Sequence, residues 1–538
     1  MSRNSLNQNF GLAMESDMTL NARRILLPQS SVRSEGVPMS RRDALQTGLG
    51  ISALAAVGMA GREASAEDPN AAESPLHFWS LKTLSQKIRS RDVSSVEVTR
   101  HMLERIARLD GKLKSYQLVT RAEALATAER CDREIKDGRY RGPLHGVPIG
   151  IKDLLYTKGI ATIAGTKARA DFVPEFDATV VKRLAAAGAV SLGKLVLCEG
   201  AWAPYHPDLP IPVNPWDAGK WSGVSSSGSG VATAAGLCFG SIGSDTGGSI
   251  RYPSAANGCV GLKPTYGRVS RHGVFALADS LDHVGPMTRT VEDSAIMFEV
   301  MAGHDPLDPS TASLPVPKIT GQLEEPIKGM KVGFDRDYAT KGIDQEVATA
   351  VLEAVDVLAG LGAEIVEIAM PDDLDLVDVW VPIALVEAVL ANNDLSATEA
   401  ANFSPGFREV LEQGRQVTAT DYAAACRKQR EVTRQIYNVL ADVNCLACPS
   451  MAKPAQDILK HPTVFELDDW KRITGKDVFT KPFNLSGVPT LSVPCGFSRS
   501  GLPLSLQLVA SPWGESDICR VGHAYERATM WHRKHPNV

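Results

Sequence analysis

Gly223-Val224-Ser225-Ser226-Ser227-Gly228-Ser229-Gly230 and, shortly after it, Gly243-Ser244-Asp245-Thr246-Gly247-Gly248-Ser249-Ile250-Arg251 are the segments on which the reading of this chain turns. They place two serine clusters in runs of small residues, with Ser225 and Ser249 24 positions apart (249 − 225). Val231-Ala232-Thr233-Ala234-Ala235-Gly236-Leu237, between them, reads as a short helix of small apolar residues. Glycines allow backbone N–H groups to come close to a bound atom. A serine at the end of such a loop can attack a carbonyl while neighbouring N–H groups hold the oxyanion. The two runs could encode a hydrolytic site or a flexible linker, and their surroundings must decide.

Those surroundings alternate strands and helices. Apolar residues recur at helical spacing from Ser80 to Asp110, and Ser94-Ser95-Val96-Glu97 has the form of a capping box. Arg121 to Lys136 is a second amphipathic helix, closed by Asp137-Gly138. Val147 to Asp153 reads as a buried strand leading into a loop, Asp177 to Ala187 as a helix, and Ala189 to Gly193 as a strand. A Pro-rich segment from Asp305 to Pro326 marks a connection. Beyond it, Lys331–Phe334, Gln345–Leu361 and Glu364–Ile368 form strand, helix, strand, and residues 372–440 are mainly helical. Short strands return at Thr490–Pro494 and Leu504–Val509, before a last helix from Asp517 to Thr529. The alternation predicts an α/β layered core. Residues 76–538 are expected to form one domain with a smaller α/β and helical insertion at about 331–440.

The totals fit this. The 538 residues are 44% hydrophobic and 22% charged, an ordinary globular composition with ample length for a large core. A net charge of −5 gives no basic excess that would point to nucleic acid or an anionic membrane. Nine scattered cysteines imply no disulfide framework. Cys445-Leu446-Ala447-Cys448 has CxxC spacing but lies in an apolar run, Val443 to Cys448, that reads as a buried strand and not as a redox or metal motif.

The amino terminus differs in kind. Ser40-Arg41-Arg42-Asp43-Ala44-Leu45 precedes a weakly apolar run from Gly48 to Gly61, then Ala64-Ser65-Ala66. Basic region, apolar region and small-residue cleavage site occur in the order of an export signal, and the paired arginines suggest the twin-arginine route. Residues 1–66 are therefore assigned to the signal and 67–75 to a polar spacer; Met39 is an alternative start. The expected location is periplasmic or secreted, and cytoplasmic if the signal is not used. The apolar run is too short to span a bilayer, so no stable membrane insertion is expected after signal removal.

The candidate nucleophile is Ser249, which follows two glycines where a loop ends. A serine hydroxyl needs a base. No GxSxG, HExxH, GxGxxG or Walker motif is present. Neither serine run contains a histidine; His145 and His283 are the nearest candidates, and both read as polar loop residues. Lys152, at the end of an apolar strand, is the other candidate base. Burial there would depress its pKa from about 10.4 toward roughly 7–8, whereas a solvated strand-end lysine would have no such role. Ser191-Leu192-Gly193-Lys194 matches SxxK but lies in an apparent strand, where that motif does not function.

With these residues in view, the chain resembles the amidase signature family. The likeness rests on the two serine runs, the latter continuing through Tyr252-Pro253-Ser254, and on Gly142 to Asp153 around Lys152. It extends through Asn214-Pro215-Trp216, Gly261-Leu262-Lys263-Pro264-Thr265 and Pro482 to Pro489, and covers roughly residues 78–535. The resemblance implies a large mixed central sheet flanked by helices on both faces. It also implies a Ser–cis-Ser–Lys triad: Ser249 as nucleophile, Ser225 as bridging serine entered through a cis peptide, and Lys152 as base. The N–H groups of Thr246, Gly247, Gly248 and Ser249 would form the oxyanion hole, and Asp245 and Arg251 would provide structural hydrogen bonds. Val224 departs from the glycine often found before the cis-serine, a change the family pattern tolerates.

The implied activity is hydrolysis of a small-molecule or peptide amide to acid plus ammonia or amine, through a serine acyl-enzyme needing neither metal nor cofactor. The alternatives are the glutaminase subunit of a tRNA-dependent amidotransferase and an inactive binding protein on the same fold. A homodimer is compatible with either enzyme. The acyl pocket is expected from the Ala201–Trp221 loop and the helical region 380–420, with Trp202, Tyr205 and Ser226 as substrate-binding residues.

Overall fold

The computed structural model describes residues 74–371, 376–458 and 479–538. These lie within one compact unit, Glu67–Val538. The expected export signal lies outside the described residues.

Among the described residues, one sheet of 11 strands runs through the unit. In chain order they are β1 (Tyr116–Val119), β2 (Pro148–Lys152), β3 (Val190–Leu195), β4 (Gly240–Asp245), β5 (Val260–Lys263), β6 (His283–Thr288), β7 (Lys331–Phe334), β8 (Glu364–Glu367), β9 (Cys445–Pro449), β10 (Thr490–Phe497) and β11 (Pro503–Val509). Their spatial order is β1-β3-β2-β4-β6-β5-β10-β11-β9-β7-β8. Pairing is parallel in β3-β2-β4 and β9-β7-β8, and antiparallel from β4 through β9 and between β1 and β3. The mixed sheet flanked by helices is thus the expected architecture. The strand–helix–strand segment after Lys331 forms, and its strands extend the far edge of this same sheet.

The central strands carry no polar-out alternation. Every residue of β2, β4, β5, β6 and β9 is buried, as required of strands covered by helices on their faces. Local signals set many element ends. The Ser94 side chain accepts from the Glu97 N–H while the Glu97 carboxylate accepts from the Ser94 N–H, a complete capping box on the helix Ser95–Leu113. The helix Arg121–Lys136 stops at Asp137.

The serine-rich run departs from its sequence reading. Its helix is Ser227–Ala234, so it begins four residues before the expected Val231, and all its residues are buried. Gly228 permits this. A Cβ there would come within 2.5 Å of the Ser115 carbonyl and 2.6 Å of the Val196 backbone, so only glycine fits between these segments. Close packing on all sides overrides the weak helix propensity of Ser and Gly. At the other end of this helix, Arg289 donates to the carbonyls of Thr233 and Cys238, and Arg105 to those of Ala235 and Gly236. These buried cations satisfy carbonyls that the helix leaves open.

Candidate active site

β2 and β4 are parallel neighbours, with Gly150 opposite Ser241 and Ile151 opposite Ile242. Their carboxyl ends, Lys152 and Ser244–Asp245, therefore emerge side by side. The helix Ser227–Ala234 begins at the same level. In open α/β sheets the carboxyl ends of parallel strands are where ligands bind.

Lys152 is fully buried. Its Nζ donates to Ser225 Oγ at 2.8 Å, Ser226 Oγ at 2.8 Å and Ser244 Oγ at 2.9 Å. Burial is the main cause that lowers its pKa, to about 7; the more distant Cys198, Asp282 and Asp245 oppose the shift. Three hydroxyls solvate the amine without a direct carboxylate partner, so the neutral form is accessible near neutral pH. The Val224–Ser225 peptide is cis, as the resemblance implies.

From Trp221 to Asn257 every residue is buried except Ser249. The backbone brings it to Ser225: the Ser226 N–H donates to the Ser249 carbonyl at 3.3 Å. Lys152, Ser225 and Ser249 thus occupy one region, with the serine at the loop end the single point in that run open to solvent.

Asp245 and Arg251 build the frame of this loop, as expected. Arg251 Nε and Nη2 donate to the Asp245 carboxylate at 3.0 and 2.9 Å, and both side chains are fully buried. Burial alone would raise the Asp245 pKa; the Arg251 guanidinium and the more distant Lys263 hold it far below the carboxylate range. The same carboxylate accepts the N–H groups of Gly248 at 2.8 Å and Ile250 at 3.0 Å. This corrects one expectation. The Gly248 N–H is taken by Asp245 and is not an oxyanion donor. Among the described residues no acceptor engages the N–H groups of Thr246, Gly247 and Ser249, which leaves three donors.

Two of the expected substrate-binding residues serve the scaffold instead. Tyr205 is buried and its hydroxyl donates to Ser227 Oγ at 2.7 Å, bracing the serine run. Ser226 is buried beneath Lys152, and its hydroxyl also donates to the Ser244 carbonyl at 3.1 Å. Trp202 remains partly exposed and stacks on Trp380 at 5.3 Å. The Trp380 indole N–H in turn donates to the Thr246 carbonyl at 2.9 Å.

His145 is a polar loop residue, as expected, whereas His283 is part of a strand. His145 is buried; it accepts the Arg141 N–H at Nδ1 and meets Glu134 at 3.1 Å. His283 opens β6, where burial holds its pKa well below the usual imidazole value. The lysine of the SxxK match, Lys194, lies in β3 and donates to the Leu155 carbonyl and Thr162 Oγ1, both at 2.7 Å, and lies 3.4 Å from Asp153. It fixes the turn that follows Lys152. Cys445 and Cys448 are buried free thiols in β9.

Ser244, Asp282, Trp380, Thr480 and Asn484 were not singled out from the sequence. Ser244 lies inside the second serine run and Asn484 inside the Pro482–Pro489 run, but no local signal gives either side chain a role; Asp282, Trp380 and Thr480 reach the loop from distant segments.

Comparison with known proteins agrees with this geometry. The Amidase family profile matches residues 97–519. AmiD, a provisionally named amidase of Mycobacterium tuberculosis, is 42% identical over 477 residues, covering 88% of this chain and 99% of that protein. A glutamyl-tRNA(Gln) amidotransferase subunit of a Geobacter species is 39% identical over 480 residues, 84% of this chain and 98% of that one. The crystal structure of the peptide amidase from Stenotrophomonas maltophilia superposes with a TM-score of 0.75 at 29% identity, covering 85% of this chain and 98% of that one. A buried lysine joined to two adjacent serine loops, a family profile spanning most of the chain and full-length relatives lead to one assignment: the chain belongs to the amidase signature family and is an amide hydrolase.

Proposed function

We propose that this enzyme cleaves its amide through an acyl-enzyme on Ser249, with Ser225 relaying protons between Ser249 and Lys152. The observation that carries this reading is the buried Lys152 amine, 2.8 Å from Ser225 Oγ. Neutral Lys152 takes a proton from Ser225 as Ser225 takes one from Ser249. The Ser249 oxygen then bonds to the amide carbon, and the tetrahedral oxyanion rests on the free loop N–H groups. The proton returns through Ser225 to the leaving nitrogen, the C–N bond breaks, and ammonia or an amine departs. Water, deprotonated by the same relay, hydrolyses the ester and restores Ser249.

We infer that the acyl group lies against the Trp202–Trp380 side of the loop, where two stacked aromatic rings favour aryl or apolar acyl groups. A screen of aliphatic, aryl and C-terminal peptide amides, with ammonia detection, tests this. Turnover of aryl amides above the aliphatic series is expected, and a preference for small hydrophilic amides would overturn it.

Export by the twin-arginine route is the proposed path, from the Ser40–Ala66 pattern. Nine free cysteines, all but Cys426 buried, support folding in a reducing compartment before transport. Fractionation should recover a mature chain beginning near Glu67 outside the cytoplasm. A cytoplasmic complex with partner proteins and glutaminase activity would favour the amidotransferase reading instead, to which the Geobacter relative lends weight.

A further inference from the structure

The three unengaged N–H groups share a feature. Peptides in this loop are trans, since the only cis bonds among the described residues are Ala203–Pro204 and Val224–Ser225. In a trans peptide the carbonyl and the next N–H point in opposite directions. A group that grips the carbonyl from behind therefore aims the N–H forward. The Asp245 carbonyl accepts from Asn484 Nδ2 at 3.1 Å, which directs the Thr246 N–H. The Gly248 carbonyl accepts from the Tyr252 N–H at 2.7 Å, which directs the Ser249 N–H. The Thr246 carbonyl accepts from Trp380 Nε1 at 2.9 Å, which directs the Gly247 N–H. The Gly247 carbonyl accepts from Thr480 Oγ1 at 2.8 Å, and the N–H this directs is the Gly248 one that Asp245 takes. The pattern is consistent at all four peptides.

Thr246 is also held by its side chain. Its hydroxyl donates to the buried Asp282 carboxylate, which accepts the Leu277 and Ala278 N–H groups at 2.9 and 3.2 Å. The Trp380 ring packs directly on the loop, since a Cβ on Gly247 would lie 2.8 Å from its Cζ2. We propose that Trp380 and Asp282 are positioning residues of the amidase reaction, holding Thr246 at both ends so that the Gly247 N–H faces the reacting carbonyl oxygen. This rests on the acyl-enzyme reading above. Trp380 comes from the helix Leu376–Ala391 and Asp282 from the turn before β6, so two distant elements set one donor.

The test compares Trp380→Phe, which keeps the ring and loses the donor, with the pair Thr246→Val and Thr246→Ser, which lose and keep the hydroxyl. Three quantities are read: kcat, KM, and the inhibition constant of an alkylboronic acid, which forms a tetrahedral adduct on serine. Trp380→Phe and Thr246→Val should lower kcat by about ten- to a hundredfold and weaken the boronate by a similar factor, with KM little changed in Thr246→Val, which lies outside the acyl pocket. Thr246→Ser should restore both. In folded Thr246→Val, a rise in KM at unchanged kcat, or boronate affinity equal to wild type, overturns the proposal, as does unchanged kcat in Trp380→Phe. If the wild type does not bind the boronate and Ser249→Ala retains activity, the underlying acyl-enzyme reading has failed instead.

Discussion

Lys152 is an amine in a place where an ammonium is poorly solvated. Its pKa of about 7 implies that the protonated form dominates below neutrality and the basic form above it. Only the neutral amine can accept a proton. Activity carried by this base should therefore rise with pH, and kcat/KM for a neutral amide should show an ascending limb centred near pH 7. A limb near pH 4–5, typical of a carboxylate, would contradict this. Ser244→Ala removes one of three hydroxyl acceptors that stabilise the ammonium, so the limb should move to lower pH; an unmoved limb would show that Ser244 does not contact the amine in solution. At this scale much was legible. Lys152, Ser225 and Ser249 stand in long local motifs, and a strand-end lysine after an apolar run is a recognisable pattern. The loop contacts of Trp380 and Asn484 were not legible, because they span 134 and 239 positions of chain; Asn484 stands in the Pro482–Pro489 run, but nothing local marks either side chain as a donor to this loop.

The loop between β4 and the helix Arg251–Asn257 is anchored at its base by a buried ion pair, Asp245–Arg251. Arg251→Met would leave the Asp245 carboxylate buried without its cation, at a cost of about 3–5 kcal/mol. Denaturant unfolding of the variant should show that loss, and a change under about 1 kcal/mol would mean the carboxylate is satisfied by its N–H donors alone. Gly228 is the matching point on the neighbouring helix. Gly228→Ala forces a methyl against the Ser115 and Val196 backbones and should destabilise by roughly 1–3 kcal/mol. Among the elements, the ends marked by chemistry were readable: the Ser94 capping box, the Asp137 stop and strand β7 from Lys331 to Phe334. The start of the helix Ser227–Ala234 was not. Ser and Gly locally favour a loop, and what makes them helical is packing against the backbones of Ser115 and Val196, far earlier in the chain.

The order of 11 strands in one sheet depends on pairings such as β5 with β10, and no local pattern encodes those. Alternation of strand and helix gives the class; strand order comes from which apolar faces meet. The burial of the cysteines is likewise a property of the whole fold. Eight of nine are buried, with Cys426 half-buried, and burial raises thiols such as Cys198 and Cys448 to about 12. Thiol titration of the native protein should find about one prompt equivalent and all nine after unfolding; several prompt equivalents would argue against this core. Every step of the proposed reaction requires that Ser249 be activated through Lys152. The direct measurement is labelling by a fluorophosphonate, with the modified residue located by mass spectrometry across a pH series. The wild type should be labelled on Ser249, faster as pH rises through about 7, and Lys152→Ala should be labelled roughly 10²–10⁴-fold more slowly while remaining folded. Labelling at another residue, or at Ser249 with an unchanged rate in Lys152→Ala, would contradict it.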